Sequence, residues 1–247
     1  MTDSTTQEVK KQQESKRNAV RIVFTGKEKV ECKAFQIGKP TGNQVLVKVY
    51  YTLISSGTEK AHLSDANNTA HRFPTVPGYS SVGIVEEIGE KVKDLKIGDR
   101  VFVSYGGHAS YNLKASSDVI KIPDNVSFEE AVFTKIASFP MAAIRRARLE
   151  LGESVVIVGL GMLGLLGVQI ARLAGATPLI AIGNREIRQE KAKKYGADYV
   201  LSPNDPELSK KIYEITQRIT GVRGANVIVE TSGSESGLLS ALTYTAR

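Results

Sequence analysis

Residues 155–164 read VVIVGLGMLG, and this stretch decides the fold of the second half of the chain. The apolar run Val155 to Val158 predicts a strand that is buried on both faces, as in a parallel sheet. A G-x-G-x-x-G hexad follows. Its first glycine permits a tight turn, its second lets a pyrophosphate approach the backbone, and its third allows the next helix to pack closely. The predicted contacts of a dinucleotide are therefore Gly159, Gly161, Met162, Leu163 and Gly164.

After the hexad, apolar runs of strand length alternate with helical periods. The pattern predicts helices over 162–173, 185–195 and 206–220, strands over 178–183, 199–201 and 226–233, and a fourth helix from Ser234. Asn204 or Asp205 is expected to cap the helix over 206–220. The alternation predicts an α/β fold with a doubly wound parallel sheet, a Rossmann domain. Such a sheet normally has strand order 3-2-1-4-5-6, but only four strands precede Arg247. We therefore expect the domain to be truncated after its fourth strand, in a fragment of a longer protein.

The end of the second strand of this domain distinguishes between the two nicotinamide cofactors. NAD sites place an acidic residue there for the ribose 2′-hydroxyl, whereas NADP sites avoid that charge and provide an arginine. This chain has Gly183, Asn184 and Arg185 at that point, which predicts NADP(H). Thr231 and Ser232 follow the fourth strand, at the edge where doubly wound sheets bind ligands, and are predicted to contact the same cofactor.

The first half of the chain has a different sequence pattern. Between residues 19 and 122, short β-type runs are separated by glycine and proline turns, which predicts a compact β-barrel-like unit. We assign a disordered polar leader to 1–18, a β-rich domain to 19–150 and the incomplete Rossmann domain to 151–247. The leader has no apolar segment and the longest apolar run is too short to span a bilayer, so we expect a cytoplasmic protein without a membrane partner.

Composition excludes several classes of protein. The 247 residues are 41% hydrophobic and 24% charged, which is typical of a globular protein. The single cysteine, Cys32, excludes an internal disulfide, and with three histidines it leaves too few soft ligands for the usual zinc sites. Ten basic and four acidic residues lie between Thr134 and Tyr195, which favours an anionic partner such as a phosphate-bearing cofactor. No nucleic-acid-binding motif accompanies this charge, so nucleic acid is not a predicted partner.

The first half also contains the longer motif VPGYSSVGIVEEIGEKVKDLKIGDRVF, from Val76 to Phe102. Together with the glycine hexad, it resembles the medium-chain dehydrogenase/reductase superfamily, from about residue 19 to the end of the chain. The resemblance implies a GroES-like β-barrel catalytic domain followed by a Rossmann domain. The Ser-Gly-Thr-Glu run at 56–59 and the stretch from His108 to Tyr111 most resemble a zinc-lacking branch that includes bacteriochlorophyllide-type dehydrogenases.

The chain departs from the zinc-dependent members at each ligand position that the resemblance identifies. Ser56 occupies the position of a cysteine ligand, and Tyr79 occupies that of a histidine. The third ligand region, 135–138, contains neither cysteine nor carboxylate, and the sequence has no lobe with four cysteines for a structural zinc ion. The resemblance therefore implies an enzyme without a metal site.

In an oxidoreductase of this kind the nicotinamide carries the hydride, while the protein orients the substrate and manages one proton. The resemblance implies that Thr58 provides the hydroxyl of the proton relay. The phenol of Tyr79 is the second candidate, with packing as an equally weighted alternative. Ser56 and Glu59 complete the predicted catalytic set, Glu59 more as a hydrogen-bonding residue of the loop than as a base. His108 is interpreted as structural rather than as a general acid.

The predicted function is thus a zinc-independent oxidoreductase that transfers hydride between NADP(H) and a small alcohol or carbonyl substrate, as a homo-oligomer in its full-length form. Two alternatives remain open. One is an enoyl or quinone reductase of the same superfamily, and the other is a nucleotide-binding or sensor protein without turnover.

Overall fold

A computed structural model describes residues 16–246 of the chain. These residues form two compact units, within Met1–Lys135 and Ile136–Arg247. The boundary between the units lies inside a helix, whereas the sequence pattern places the domain boundary at 150. Ile144 explains the difference, because it is buried in the core of the second unit. Among the described residues, no helix is long and apolar enough to cross a membrane.

The first unit is built from antiparallel strands. It contains the strands β1 (Arg17–Gly26), β2 (Lys29–Ile37), β3 (Gln44–Thr52), β4 (Ser80–Ile88), β5 (Arg100–Ser104), β6 (Tyr111–Ala115) and β7 (Val119–Lys121), and the helices α1 (Ser56–Leu63) and α2 (Phe128–Ala131). Strands β3 to β7 form one sheet in the order β6-β3-β4-β5-β7, and β1 pairs with β2 as a hairpin. The β-rich character predicted for this half is confirmed.

Side chains on one face of the larger sheet form the core of this unit. Val45 and Val47 of β3 pack against Val85 of β4 and against Val101 and Val103 of β5, and all five are fully buried. Their spacing of two residues along β3 and β5 places them on the same face. The same two strands lead to the segments that carry the predicted catalytic residues, because β3 ends at Thr52, shortly before α1, and β4 begins directly after Tyr79.

The first strand begins inside the segment that we assigned to the leader. The Arg17 guanidinium forms ion pairs with Glu86 and Glu87 of β4, and lies over the ring of Tyr111 at 4.8 Å from its centroid. The two carboxylates are 69 and 70 positions away along the chain, so no local pattern indicates these contacts. Residues 17 and 18 therefore belong to the folded unit, and the predicted disorder of 1–15 falls outside the described residues.

In the second unit, helices and parallel strands alternate. The elements are α3 (Thr134–Ala147, which begins at the end of the first unit), β8 (Val155–Val158), α4 (Met162–Leu173), β9 (Leu179–Ile182), α5 (Glu186–Lys194), β10 (Tyr199–Leu201), α6 (Leu208–Thr220), β11 (Val227–Glu230) and α7 (Glu235–Leu242). The four strands are parallel in the order β10-β9-β8-β11. Numbered within the unit, this is the order 3-2-1-4 of a doubly wound sheet.

Successive side chains of β8 point to opposite faces of this sheet. Val155 and Ile157 pack with Val168 of α4 on one face, and Val156 and Val158 pack with residues of α6 on the other. Because helices cover both faces, every position of the strand is apolar. The buried parallel strand predicted from VVIV is confirmed.

Helix α6 begins at Leu208, two residues later than predicted, and its N-cap residue is Glu207 rather than Asn204 or Asp205. The Asp205 carboxylate instead accepts hydrogen bonds from the Glu207 N–H, at 2.9 Å, and from the Lys211 ammonium. Because its carboxylate is used in this local turn, Asp205 does not cap the helix as we had expected.

Candidate functional site

A cavity of about 600 Å³ opens at the carboxyl ends of β8, β9 and β11, within the second unit. Val158, Ile182 and Thr231 mark the three strand ends that border it. Strand order reverses between β8 and β11, and doubly wound sheets bind their ligands outside such a reversal. The volume is in the range of small-molecule and cofactor sites.

Seven of the ten residues predicted to bind the cofactor line this cavity, namely Gly159, Gly161, Gly183, Asn184, Arg185, Thr231 and Ser232. The other three, Met162, Leu163 and Gly164, form the first turn of α4 and do not line it. The hydrogen bond from Leu165 N–H to Gly161 O closes that first turn, so the N–H groups of the three preceding residues have no partner within the helix. Contacts of the ten residues with a cofactor stay a prediction.

The three glycines of the hexad have different surroundings. A Cβ atom on Gly164 would lie 1.8 Å from the Gly159 carbonyl oxygen, and one on Gly159 would lie 2.6 Å from Ser232 N. Gly159 also has a φ of +90°, in the region that favours glycine. A Cβ atom on Gly161 would meet no atom within 4 Å, although Gly161 borders the cavity. Two of the glycines are thus required by the packing of the turn, and the space beside Gly161 is open to a ligand.

Two arginines line the cavity, and none of the described residues that line it is acidic. Arg185 is exposed at the residue before α5, and Arg188 is half-buried in the first turn of that helix. Guanidinium groups attract anions, and their planar set of donors suits a phosphate. Sequence reasoning missed Arg188, although its spacing of three residues from Arg185 was a usable signal.

The side chain of Leu160 leaves no room for a residue larger than glycine at position 183, directly after β9. A Cβ atom on Gly183 would lie 2.7 Å from Leu160 Cδ1, 2.8 Å from its Cγ and 3.0 Å from its Cβ. Leu160 is itself buried in the core, and the Gly183 carbonyl accepts a hydrogen bond from Gln189 Nε2. Packing therefore requires the glycine here, in addition to the lack of negative charge noted in the sequence.

Hydroxyl groups of the loop after β11 form another part of the cavity lining. Ser232 Oγ lies 2.8 Å from Ser234 Oγ, and Glu230 Oε1 accepts a hydrogen bond from Ser232 N–H at 2.6 Å. Thr231 Oγ1 donates to the Gly159 carbonyl at 2.8 Å, so this loop is joined to the glycine turn. The two cavity-lining loops are therefore held as one structure.

Tyr244 borders the same cavity. Burial raises the pKa of its phenol, and a hydrogen bond with Ser240 only partly offsets that effect. The phenol is therefore a neutral donor at physiological pH. Sequence reasoning missed this residue, because no periodic pattern marks a side chain that reaches the cavity from the end of α7.

Three of the four predicted catalytic residues lie together at the start of α1, in the first unit. Ser56 and Thr58 are exposed in its first turn, and Glu59 is buried. Ser55 Oγ donates to Thr58 Oγ1 at 3.3 Å, which leaves the Thr58 hydroxyl proton available to another acceptor. The fourth, Tyr79, is half-buried immediately before β4.

Glu59 uses both carboxylate oxygens in hydrogen bonds. Its Oε1 accepts from Ser55 N–H at 2.8 Å, and its Oε2 lies 2.9 Å from His108 Nε2. The side chains of Glu59 and His108 are 11% and 9% exposed. Both groups are thus largely withdrawn from solvent, and the contact between them was not foreseen from the sequence.

The donors near α1 do not fit a catalytic zinc ion. Ser56 and Tyr79 present hydroxyl groups, while Glu59 and His108 are hydrogen-bonded to each other. Among residues 16–246, no group of three or more histidine, cysteine, aspartate or glutamate side chains is close enough to hold a metal ion. Cys32 is exposed on β2. Catalytic zinc sites use three nitrogen, sulfur or carboxylate ligands from the protein, and these residues do not supply that set.

Two family models match the chain, one over most of the first unit and the other over most of the second. The model described as an alcohol dehydrogenase GroES-like domain matches residues 41–136, and the one described as a zinc-binding dehydrogenase matches residues 163–247. The chain belongs to the medium-chain dehydrogenase/reductase superfamily. The GroES-like domain and the Rossmann domain implied by the resemblance are both confirmed, whereas the donor set near α1 differs from the zinc chemistry in the second description.

Similar proteins of this superfamily include D-guloside 3-dehydrogenase of Escherichia coli (strain K12). It is 36% identical over 168 residues, which are 67% of this chain and 47% of that enzyme, so this chain spans about half the length of that relative. A protein from Sinorhizobium meliloti 1021 described as a zinc-binding dehydrogenase and bound to NADP has a TM-score of 0.82 at 22% identity, over 93% of this chain and 74% of that one. An Escherichia coli CFT073 alcohol dehydrogenase in complex with NADH has a TM-score of 0.80 at 21% identity, over 92% and 73%.

Proposed function

We propose that this chain is part of a zinc-independent oxidoreductase that transfers hydride between NADP(H) and an alcohol or carbonyl group of a small substrate. The observation that carries the proposal is the cavity of the second unit, where a glycine turn, two arginines and a hydroxyl-bearing loop surround about 600 Å³. Structures of similar fold contain either nicotinamide cofactor. The choice of NADP(H) therefore rests on this chain's own residues.

Each part of the cavity has a role in holding the cofactor. The open space beside Gly161 and the N–H groups of the first turn of α4 suit the pyrophosphate. Arg185 and Arg188 suit the 2′-phosphate, and the glycine at 183 places no negative charge beside it. When bound, the nicotinamide supplies the acceptor or donor of the hydride.

The proton is handled by hydroxyl groups of the first unit. Because Ser55 Oγ donates to Thr58 Oγ1, the Thr58 hydroxyl can donate its own proton to a carbonyl oxygen of the substrate. In the reverse direction the exposed Thr58 hydroxyl accepts the substrate's proton while it passes its own proton to solvent water, so it acts as a relay rather than as the final base. The phenol of Tyr79 supplies a second hydrogen-bond donor for the substrate oxygen.

The test is turnover with a panel of sugar alcohols and simple alcohols, followed by the absorbance of reduced nicotinamide, with and without a metal chelator. We expect NADP⁺ reduction that the chelator does not abolish, and a fall in kcat of about 100-fold in Thr58→Val, the typical contribution of one proton-transfer group. Thr25→Val is the matched control, because Thr25 donates to Glu31 on the exposed hairpin. Loss of activity in the chelator contradicts zinc independence.

Binding of NADPH without turnover of any alcohol, ketone, enone or quinone would favour the sensor alternative. Turnover of enones or quinones alone would favour the reductase alternative. The cytoplasmic location and the homo-oligomer stay predictions.

A further inference from the structure

A buried hydrogen-bonded chain in the first unit is not used by the proposed reaction. His108 Nε2 lies 2.9 Å from Glu59 Oε2, and His108 Nδ1 lies 2.7 Å from Thr52 Oγ1. Both ring nitrogens therefore have partners in a side chain that is 9% exposed. The Glu59 carboxylate oxygen accepts the hydrogen bond from Nε2, and Nδ1 and the Thr52 hydroxyl form the second hydrogen bond of the ring.

His108 is attached to the segment that immediately precedes Tyr79. Its backbone N–H donates to the Pro77 carbonyl at 3.2 Å. Gly78 packs directly on the imidazole, because a Cβ atom at Gly78 would lie 2.9 Å from His108 N and 3.1 Å from both Cδ2 and Nε2. The position of the ring and the path of the chain into Tyr79 are thus set by the same contacts.

Glu59 is attached to the first turn of α1. Its Oε1 accepts from Ser55 N–H at 2.8 Å, and its own N–H donates to the Ser55 carbonyl at 2.8 Å. Ser55 has no side-chain capping hydrogen bond to the helix, so the Glu59 carboxylate takes over part of that role. This turn carries Thr58, whose hydroxyl accepts from Ser55 Oγ.

We propose that His108 and Glu59 are positioning residues, whose buried pair ties the first turn of α1, with Thr58, to the Pro77–Gly78 segment that leads to Tyr79. The pair thereby sets the relative position of the two hydroxyl groups that serve the substrate oxygen. Assigning those hydroxyls to catalysis rests on the proposed function, whereas the tether itself does not.

Glu59→Gln is the sharpest variant, because it keeps the size of the side chain and removes one acceptor. The carboxylate accepts from two N–H donors, but an amide has a single oxygen and must turn its NH₂ group towards one of them. His108→Gln is the second variant. The exposed pair of His71 and Asp65 provides matched controls in His71→Gln and Asp65→Asn, because its Nδ1 to Oδ1 distance is 2.8 Å at 52% and 34% exposure.

Two readouts decide the proposal on the full chain. In turnover, we expect Glu59→Gln and His108→Gln to lower kcat by about 10-fold to 100-fold, the scale of a small misplacement, with KM and NADPH affinity nearly unchanged. In nuclear magnetic resonance spectra, we expect Glu59→Gln to shift the backbone signals both of 55–58 and of 77–79. The chemical shifts of the His108 ring nitrogens should change as well. The two control variants are expected to change none of these.

An unchanged kcat in both variants, with only a lower unfolding temperature, overturns the proposal, since the pair would then be structural alone. If the wild type turns over no substrate, the proposed function fails and the spectra decide the tether. Shifts in both segments then support it, and shifts confined to 55–58 overturn it.

Discussion

Gly183→Asp introduces the acidic residue typical of NAD sites, and we expect it to destabilise the protein rather than to create an NADH site. The new Cβ atom would lie 2.7 Å, 2.8 Å and 3.0 Å from three atoms of Leu160, including Leu160 Cβ, so the whole leucine side chain must move. Leu160 is 3% exposed and packed in the core, so it has little room to move. Overpacking of this kind typically costs about 1–3 kcal/mol.

The loss in the free energy of unfolding is measured by urea unfolding of the single and double variants. We expect Leu160→Ala alone to lose about 2–5 kcal/mol, because it leaves a cavity. The double variant Leu160→Ala/Gly183→Asp should lose less than the sum of the single losses by about 0.5 kcal/mol or more, since the two changes share one space. Gly38→Asp is the matched control, because a Cβ atom there meets nothing within 4 Å.

Calorimetric titration with NADH and NADPH completes this test. Gly183→Asp should weaken NADPH binding through repulsion of the 2′-phosphate, and only the double variant has space for the carboxylate to approach a ribose hydroxyl. A Gly183→Asp protein that is as stable as the wild type, or that binds NADH tightly without a change at Leu160, refutes the reasoning.

Two further predictions concern other parts of the chain. Gly164→Ala should abolish NADPH binding and lower the unfolding temperature, because its Cβ atom would lie 1.8 Å from the Gly159 carbonyl oxygen. Gly167→Ala is the control, because a Cβ atom there would have its nearest contacts at 3.7 Å. Equal unfolding temperatures and equal NADPH affinities of the two variants would contradict this prediction. Hydrogen bonds from the Ser127 N–H and hydroxyl lower the pKa of Glu130, so its contribution to stability is present above the ordinary glutamate pKa and lost as the pH falls through the lowered value. The stability of Glu130→Gln should therefore change less with acid than that of the wild type, and an identical pH profile would count against these hydrogen bonds.

The sequence predicted the Rossmann unit because its decisive constraints are local. The run from Val155 to Val158 is apolar since both faces are covered, and the hexad glycines stand where a turn and a close helix require them. The late start of α6 was missed, because Asp205 bonds to Glu207 and Lys211 instead of capping the helix. Two capping-type residues in a row give no local signal for which geometry prevails.

Contacts between distant parts of the chain were beyond sequence reasoning. Glu59 and His108 are 49 positions apart, and each alone is an ordinary polar residue in a loop-rich region. Similarly, the sequence showed that Gly183 removes an acid, but not that Leu160 fills its place. Thr58 was identified through a family motif, and its exposure and its bond from Ser55 needed the structure.

The most direct test of the account is calorimetric titration of NADPH and NADH into the wild type, Arg185→Ala and the control Lys194→Ala. Lys194 lies in the last turn of α5, the helix that begins directly after Arg185, and does not line the cavity. We expect the wild type to bind NADPH more tightly than NADH. Arg185→Ala should bind NADPH about 10-fold more weakly and NADH equally well. A loss of about 10-fold is the lower end of the range for a charge-assisted hydrogen bond, and we expect it because Arg185 is exposed. Preference for NADH in the wild type, or an equal loss for both cofactors in Arg185→Ala, contradicts the assignment of the 2′-phosphate to this cavity.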